Sequence, residues 1–251
     1  MKSEEWATLI QEASAQVPIV VKALTYRRSW DSACRPVQLS CDDGHDYVVK
    51  GSQVGRSAFN DQVVGRIARA LGAPVADVGL VEVVPELIQI NRDMMHMAPG
   101  LAHGSKFIPD CTECLWFQYV DLPENRSRFA LLSVLYGWMV SAEKQFFYAT
   151  NPPNVVYSFD HDAFFPGGPA WSAESLASAL ASYPDVDDVI VTQCGLRRKE
   201  LCGAVGFLQR ITPQIIASAI GAVPTGWGSV SDDERVSLAQ YLWERCQTMR
   251  S

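Results

Sequence analysis

The chain has 251 residues, of which 48% are hydrophobic and 20% charged, and its formal net charge is −7. This length and composition predict a sizeable core, in one large domain or in two lobes around a cleft. The acidic balance and the lack of a long Lys/Arg run argue against nucleic acid as a direct ligand. No apolar run approaches the roughly 18 residues of a membrane span. Scattered cysteines without a secretory leader are typical of thiols in a cytoplasmic protein.

The N-terminal half is predicted to be a sheet with one helix, after a short helix over residues 4–16 that begins with acidic residues. The β-branched segments VPIVVKALTY, RPVQLSC and HDYVVKG predict an antiparallel meander, with Asp42-Asp43-Gly44 as a hairpin signal. In SAFNDQVVGRIARALG the apolar residues recur with helical spacing. We therefore expect a helix there, with Ser57 as its N-cap and Gly72 as its stop.

The predicted strands continue up to Glu124, and the part of the chain that follows is predicted to be mostly helical. APVADVGLVEVVPEL and LWFQYVDL have the composition of strands, and MMHM and APGLAHGSKF between them are typical of loops. SRFALLSVLYGWMV predicts a buried helix, and FFYA and NVVYSF predict two short strands around the turn TNPPN. Helical periodicity then returns in WSAESLASALASY, LRRKELCGAVGFLQRI, TPQIIASAIGAV and SDDERVSLAQYLWERCQTM. The expected class is α+β, divided into a sheet-rich part over 1–120 and a helical part over 121–251.

The stretch VVYSFDHDAFF places Asp160, His161 and Asp162 between two apolar runs. A solvated turn is the simplest interpretation, because turns favour Asp, and a metal or acid–base site at a strand end is the alternative. Lys50 ends the strand HDYVVK, where a lysine usually extends to water. However, a strand lysine followed about a dozen residues later by an acid near a helix start, here Asp61, is how kinases hold the phosphates of ATP. In such folds the Asp after the second hairpin strand, here Asp160, is a Mg²⁺ ligand.

Several segments share their order and local character with one known family: YVVKG, NDQVVGRIARALGAPVADVGLVEV, APGLAHGSKF, SFDHDAFF with the following Trp171, and SDDERVSLAQYLWERC. Through them the chain resembles the small, single-domain HipA-like kinases of bacteria over residues 18–247. The resemblance implies a two-lobed protein-kinase-like fold that binds ATP and Mg²⁺. The best-understood members phosphorylate a protein serine. The acceptor of this chain stays open and is expected to be a hydroxyl of a protein or of a small molecule.

The resemblance assigns roles residue by residue. Lys50 would contact the phosphates, and Asp61, which stands where many members have Glu, would orient it. Asp160 would bind the metal, and Asp162, which stands where the family usually has Gly, is a second candidate metal ligand. In APGLAHGSKF, Gly104 and Ser105 are candidates for phosphate contact, although a plain loop between strands is the simpler interpretation.

The segment VSAEKQFFY departs from the family pattern, which is an Asp followed by an Asn or Gln ligand. Glu143 is the available acid–base group here, Gln145 is the available amide ligand for the metal, and the loop is a residue short. Two functions stay open: an active phosphotransferase in which Glu143 accepts the hydroxyl proton, and a catalytically inactive kinase-fold binding or regulatory protein. A third alternative is an unrelated α+β protein whose Asp-His-Asp triplet is a turn.

Overall fold

The N-terminal strands close into a barrel. The computed structural model describes residues 1–16, 18–114 and 116–251, so Val17 and Leu115, which both fall in predicted strands, lie outside the described residues. The barrel strands are β1 (Val20–Ser29), β2 (Val37–Cys41), β3 (Asp46–Lys50), β4 (Val78–Val83) and β5 (Gly100–Lys106). Their order is β1-β2-β3-β5-β4, with β4 returning parallel to β1 and the other neighbours antiparallel. The predicted antiparallel meander is confirmed.

Strand β5 contradicts the prediction of a loop at APGLAHGSKF. Gly104 pairs with Val49 on one side and Gly79 on the other. A Cβ on Gly104 would lie 2.5 Å from the Val81 side chain and 3.2 Å from the Tyr47 ring. Glycine therefore lets two large side chains of the barrel interior approach the strand backbone, which is one of the positions where a strand tolerates glycine.

The helices match most of the helical predictions. They are α1 (Ser3–Ser14), α2 (Arg56–Leu71), α3 (Pro85–Ile90), α4 (Pro123–Met139), α5 (Ala173–Ala179), α6 (Asp188–Cys194), α7 (Arg198–Gly206), α8 (Pro213–Gly221) and α9 (Asp232–Arg250). Gly72 ends α2 with a left-handed φ of 87°, as predicted. Ser57 is not the N-cap, because Gly55 occupies that position and Ser57 lies inside the first turn. The short helices α3 and α6 were not predicted.

A second sheet follows the barrel. It contains β6 (Cys111–Cys114), β7 (Phe146–Ala149) and β8 (Val156–Ser158), antiparallel and in that order. The predicted strand over LWFQYVDL is wrong, since the strand ends at Cys114 and residues 116–122 contain turns. This segment is apolar because Phe117 packs against Phe129 and Phe146, with ring centroids 5.9 and 5.3 Å apart.

Two hydrophobic clusters hold the fold together. One fills the barrel, and the larger one joins α1, α2 and α4 to the C-terminal helices. Arg56 at the start of α2 donates to the Trp171 carbonyl at 2.7 Å, pairs with Glu234 at 2.7 Å and stacks on the Trp171 ring. The barrel-side helix α2 is thereby fixed to α9. In the described chain, none of the helices combines the length and apolarity needed to cross a bilayer.

Candidate active site

A cleft of about 370 Å³ opens between the barrel and the second sheet. Barrel strands β3 and β5 supply one wall, and β7, β8 and the turn after β8 supply the other. Its polar lining includes Lys50, Asp61, His103, Ser105, Glu113, Gln145, Ser158, Asp160 and His161. Five of the predicted site residues therefore line one cavity: Lys50, Asp61, Ser105, Gln145 and Asp160.

Lys50 is the positive centre of this cleft. It is 6% exposed at the end of β3, and its Nζ donates to Asp61 at 2.8 Å and to Asp160. Asp162 lies 3.9 Å from the same ammonium. Burial alone would lower the pKa of Lys50, but the three carboxylates, Asp61 foremost, raise it above its ordinary value. The lysine is therefore a permanent cation.

Asp61 bridges the lysine to the turn after β8. One carboxylate oxygen accepts from Lys50, and the other accepts from the backbone N–H of His161 at 2.7 Å. Burial by itself would raise the pKa of Asp61, and the charge of Lys50 lowers it below its ordinary value. The short carboxylate thus reaches its lysine without the extra methylene of Glu, because α2 lies directly against the turn.

The Asp-His-Asp turn is held from below by Asn60. This fully buried amide donates to the carbonyls of Asp162 at 2.7 Å and Phe164 at 3.2 Å, and accepts from the Trp171 indole at 2.9 Å. The left-handed residue of the turn is Asp160, with φ of 55°, and not Asp162. Asp is one of the few residue types that tolerates this conformation. Asp162, where the resemblance led us to expect glycine, therefore does not need the conformational freedom of glycine.

His161 faces inward toward two buried hydroxyl groups. Its Nε2 lies 2.9 Å from Ser158 Oγ, which lies 2.7 Å from Tyr136 Oη on α4. Burial lowers the pKa of His161 to about 4, so the imidazole is neutral at physiological pH. The sequence offered no sign of this arrangement beyond the triplet itself, since Tyr136 looks like an ordinary member of an apolar helix.

Glu143 and Gln145 lie on the short segment between α4 and β7. The Gln145 amide lines the cleft and donates to the Glu143 carboxylate at 3.3 Å, while Glu143 itself is exposed and outside the cleft lining. Lys144 pairs with Asp187 at 2.9 Å, and Asp187 also caps the start of α6. The segment is thereby fixed on its outer side. The structure brings Gln145, but not Glu143, to the wall of the cleft.

Ser105 and Gly104 differ in their access to the cleft. The Ser105 hydroxyl lines it and lies 3.2 Å from His103 Nε2, whereas Gly104 faces the barrel interior. His103 is buried beside Lys50, and burial lowers its pKa to about 4. The backbone of Gly104 belongs to the sheet ladders on both sides, so its predicted role as a phosphate-binding loop glycine does not fit its position.

The segment between β1 and β2 also reaches the cleft, which sequence reasoning missed. Cys34 Sγ lies 3.4 Å from the Asp162 carboxylate, and burial raises the pKa of this thiol to about 11. The Arg28 guanidinium lies 4.6 Å from the Trp30 ring centroid and 5.4 Å from that of Phe107. Arg28, Trp30 and Phe107 line the cleft, and Cys34 lies beside Asp162. The segment SWDSACRP, which contains Trp30 and Cys34, carries no recognisable motif that would have singled them out.

The donor set fits a magnesium ion held jointly by protein and phosphate. Three carboxylates surround the single ammonium of Lys50, which leaves an excess of negative charge beside the cleft. No three His, Cys, Asp or Glu side chains in the described ranges form a complete cation site by themselves. Mg²⁺ is typically bound through one or two carboxylates, with phosphate oxygens and water as the other ligands. Such a partial set would come from the Asp160 carboxylate and the Gln145 amide oxygen, with the Asp162 carboxylate as a further ligand.

The sequence matches the model of one known family. The family described as HipA-like kinase matches residues 23–164, more than half of the chain. No curated protein matches the sequence.

The fold is similar to those of several solved structures. The Helicobacter pylori proinflammatory kinase CtkA aligns over 92% of this chain and 95% of its own, with 13% identity and a TM-score of 0.62. The Golgi casein kinase aligns over 100% of this chain and 78% of its own, with 11% identity and a TM-score of 0.48. HipA of Shewanella oneidensis MR-1, in complex with HipB and operator DNA, aligns over 99% and 70%, with 13% identity and a TM-score of 0.43. The similarity to CtkA establishes a kinase-like α+β fold.

Proposed function

The chain belongs to the HipA-like kinase family, and from that premise we propose that it binds ATP with Mg²⁺ and transfers the γ-phosphoryl group to a hydroxyl. The acceptor hydroxyl would belong to a protein or a small molecule. The observation that carries the proposal is the buried Lys50, which is held between Asp61 and Asp160 on the wall of the cleft. Residues 1–120 and 121–251 would form the two lobes on either side of the nucleotide.

In this proposal each residue has a defined part. Lys50 would hold the phosphates of ATP, and Asp61 would fix both the lysine and the turn that carries Asp160. Asp160, Gln145 and Asp162 would hold Mg²⁺, which neutralises phosphate charge when bound. The acceptor oxygen would attack the γ-phosphorus as the bond to the bridging oxygen of ADP breaks, and Glu143 would take the hydroxyl proton.

Nucleotide binding is the first test. We expect ATP with Mg²⁺ to raise the melting temperature of the wild type, because a ligand that binds the native state stabilises it by mass action. Asp160→Asn should lose most of the Mg²⁺-dependent part of that shift. Asp233→Asn, an exposed change in the first turn of α9, is the matched control and should keep it. Equal, flat responses in all three proteins would refute ATP binding in this cleft.

One observation favours a second candidate function, a kinase-fold protein that binds nucleotide without transferring phosphate. Glu143 is exposed, and its carboxylate accepts from Gln145 at 3.3 Å outside the cleft lining. A misplacement of about 1 Å in a catalytic group can cost roughly 100-fold in rate. A protein with this geometry would act as a nucleotide-dependent binding or regulatory partner.

ADP release separates the two functions. Wild type and Glu143→Gln should be incubated with ATP, Mg²⁺ and panels of protein and small hydroxyl acceptors. The phosphotransferase proposal expects ADP from the wild type and a loss of about 100-fold or more in Glu143→Gln, the usual range for general base catalysis. If the wild type binds ATP and neither protein releases ADP, the second function is correct.

A further inference from the structure

A chain of hydrogen bonds runs from α4 to the Asp-His-Asp turn. Tyr136 Oη lies 2.7 Å from Ser158 Oγ, and Ser158 Oγ lies 2.9 Å from His161 Nε2. All three residues are at most 5% exposed. The His161 backbone N–H also donates to Asp61 at 2.7 Å. Hydrogen bonds therefore hold both the backbone and the imidazole of His161.

The direction of the hydrogens in these hydrogen bonds follows from the acceptors within reach of the buried phenol. A phenol has one hydrogen to donate, and Tyr136 is 1% exposed. Among the described residues, Ser158 Oγ is the one hydrogen-bond partner of Tyr136 Oη, so the phenol hydrogen goes to Ser158. The Ser158 hydroxyl then gives its own hydrogen to its other side-chain neighbour, His161 Nε2.

This assignment fixes the tautomer of His161. A ring nitrogen that accepts a hydrogen bond carries no hydrogen, so Nε2 is bare and a neutral ring holds its hydrogen on Nδ1. No protein acceptor for Nδ1 is found among the described residues. Within the same residues, the buried side-chain polar atoms that lack a partner are His96 Nδ1 and Arg250 Nε. His161 Nδ1 is not one of these buried atoms, so it is accessible to solvent. Because His161 lines the cleft, we place this accessible nitrogen at the cleft.

We propose that His161 presents its Nδ1–H to the cleft as a hydrogen-bond donor for an anionic oxygen of the bound nucleotide, and that Tyr136 and Ser158 are the positioning residues that fix this tautomer. The identity of the ligand rests on the proposed function. The donor stands next to Asp160 in the chain and on the same wall of the cleft as Ser158. A nitrogen that carries a hydrogen cannot coordinate a cation, so His161 contacts phosphate and not the metal.

The tautomer is measurable without any ligand. In ¹⁵N–¹H long-range spectra of histidine-labelled protein, the protonated and bare ring nitrogens have well separated shifts. The expected result is the Nδ1–H form for His161, assigned by the loss of its signals in His161→Asn. His103 is an internal reference of the opposite form, because its Nδ1 accepts from the Gln62 amide at 2.9 Å and its Nε2 faces Ser105.

Variants of Tyr136 and Ser158 test whether these two residues position the hydrogen of His161. Tyr136→Phe and Ser158→Ala each remove a hydroxyl that directs the hydrogens, so His161 should become a mixture of tautomers. Tyr241→Phe removes a buried phenol that donates to the Met139 carbonyl elsewhere in the core, and should leave the His161 spectrum unchanged. The inference would be overturned if His161 of the wild type were in the Nε2–H form. It would also be overturned if Tyr136→Phe and Ser158→Ala kept the wild-type tautomer.

A matched pair at position 161 tests the contact with ligand. The amide nitrogen of Asn reaches the place of Nδ1, whereas that of Gln reaches the place of Nε2. We expect His161→Asn to bind ATP with Mg²⁺ within about 2-fold of the wild type, and His161→Gln to bind about 10-fold more weakly, the usual loss for one hydrogen bond to a charged group. Titration calorimetry measures both, and equal affinities for the two variants would overturn the inference.

The two proposals fail in different ways. A wild type that binds no ATP refutes the proposed function and with it the ligand contact of His161. A wild type that binds ATP while His161 holds its hydrogen on Nε2 refutes this inference alone. An Nδ1–H signal that shifts on addition of ATP and Mg²⁺, together with the Asn and Gln difference, supports both.

Discussion

Replacing Lys50 by Met is expected to destabilise the protein by about 3 kcal/mol at pH 7. Met fits the space of the lysine stem and removes the ammonium, which lies 2.8 Å from an Asp61 side chain that is 3% exposed. At an effective dielectric constant of about 20, such a pair interacts by about 6 kcal/mol. Desolvation of Lys50 already cancels part of this in the wild type. In addition, Asp160 is 28% exposed and can be hydrated in the variant, so about half of the interaction should appear as lost stability.

The pH dependence of this loss identifies its cause. In the wild type the pKa of Asp61 is lowered from 3.8, so its ion pair stabilises the fold above that pH and is lost as the pH falls. Without Lys50, burial raises the pKa of Asp61, and the carboxyl destabilises the fold increasingly as the pH rises above 3.8. Both effects make the deficit of Lys50→Met largest at pH 7 and smaller at pH 4.

Urea unfolding at pH 7 and pH 4 measures the deficit directly. Lys22→Met, at an exposed position of β1, is the matched control and should change stability by no more than about 0.5 kcal/mol at either pH. A Lys50→Met protein that is no less stable than Lys22→Met, or that has the same deficit at the two pH values, would contradict an ion-pair origin of the loss.

Three further changes test other parts of the fold. Asn60→Ala removes three hydrogen bonds of a fully buried amide and should cost about 2–4 kcal/mol in thermal or urea unfolding. Gly104→Ala places a Cβ 2.5 Å from a barrel side chain and should cost about 1–3 kcal/mol, whereas Gly79→Ala, which meets nothing within 4 Å, should cost far less. Because Arg126 lowers the pKa of Glu200 from 4.5 to about 2, Glu200→Gln should be less stable than the wild type above pH 4.5. That difference should disappear as the pH falls toward 2, which unfolding across this range checks.

Helices were predicted well because their signals are local. The periodicity of α2, α8 and α9 is complete within each segment, and Thr212 and Ser231, the first residues of two of these segments, cap their helices. The errors come from residues whose neighbours are distant in sequence. Strand β5 is rich in glycine because of its contacts across the barrel, and the segment after Cys114 is apolar because it covers β7.

The candidate site could be predicted only in part, because only some of its contacts join residues that are close in sequence. Lys50 and Asp61 are close in the chain and occupy standard positions, so their pairing could be predicted, and the structure places them 2.8 Å apart. The partners of His161 could not be predicted, since Tyr136 and Ser158 resemble ordinary core residues and the contact from Asp61 spans 100 positions. The roles of Glu143, Gln145 and Asp162 stay predictions that the binding and turnover experiments decide.

Asp61 links two of the departures from the family pattern, its own and that of Asp162. A Glu at this position would carry its carboxylate one methylene farther from α2, which would displace either the Lys50 contact or the His161 N–H contact that the carboxylate now joins. The close approach of α2 to the turn also sets the place of Asn60, whose bonds hold the backbone of Asp162 without a glycine. We therefore infer that the shorter acid and the Asp-His-Asp turn depend on each other. Asp61→Glu alone should weaken nucleotide binding, although it restores the commoner residue of the family.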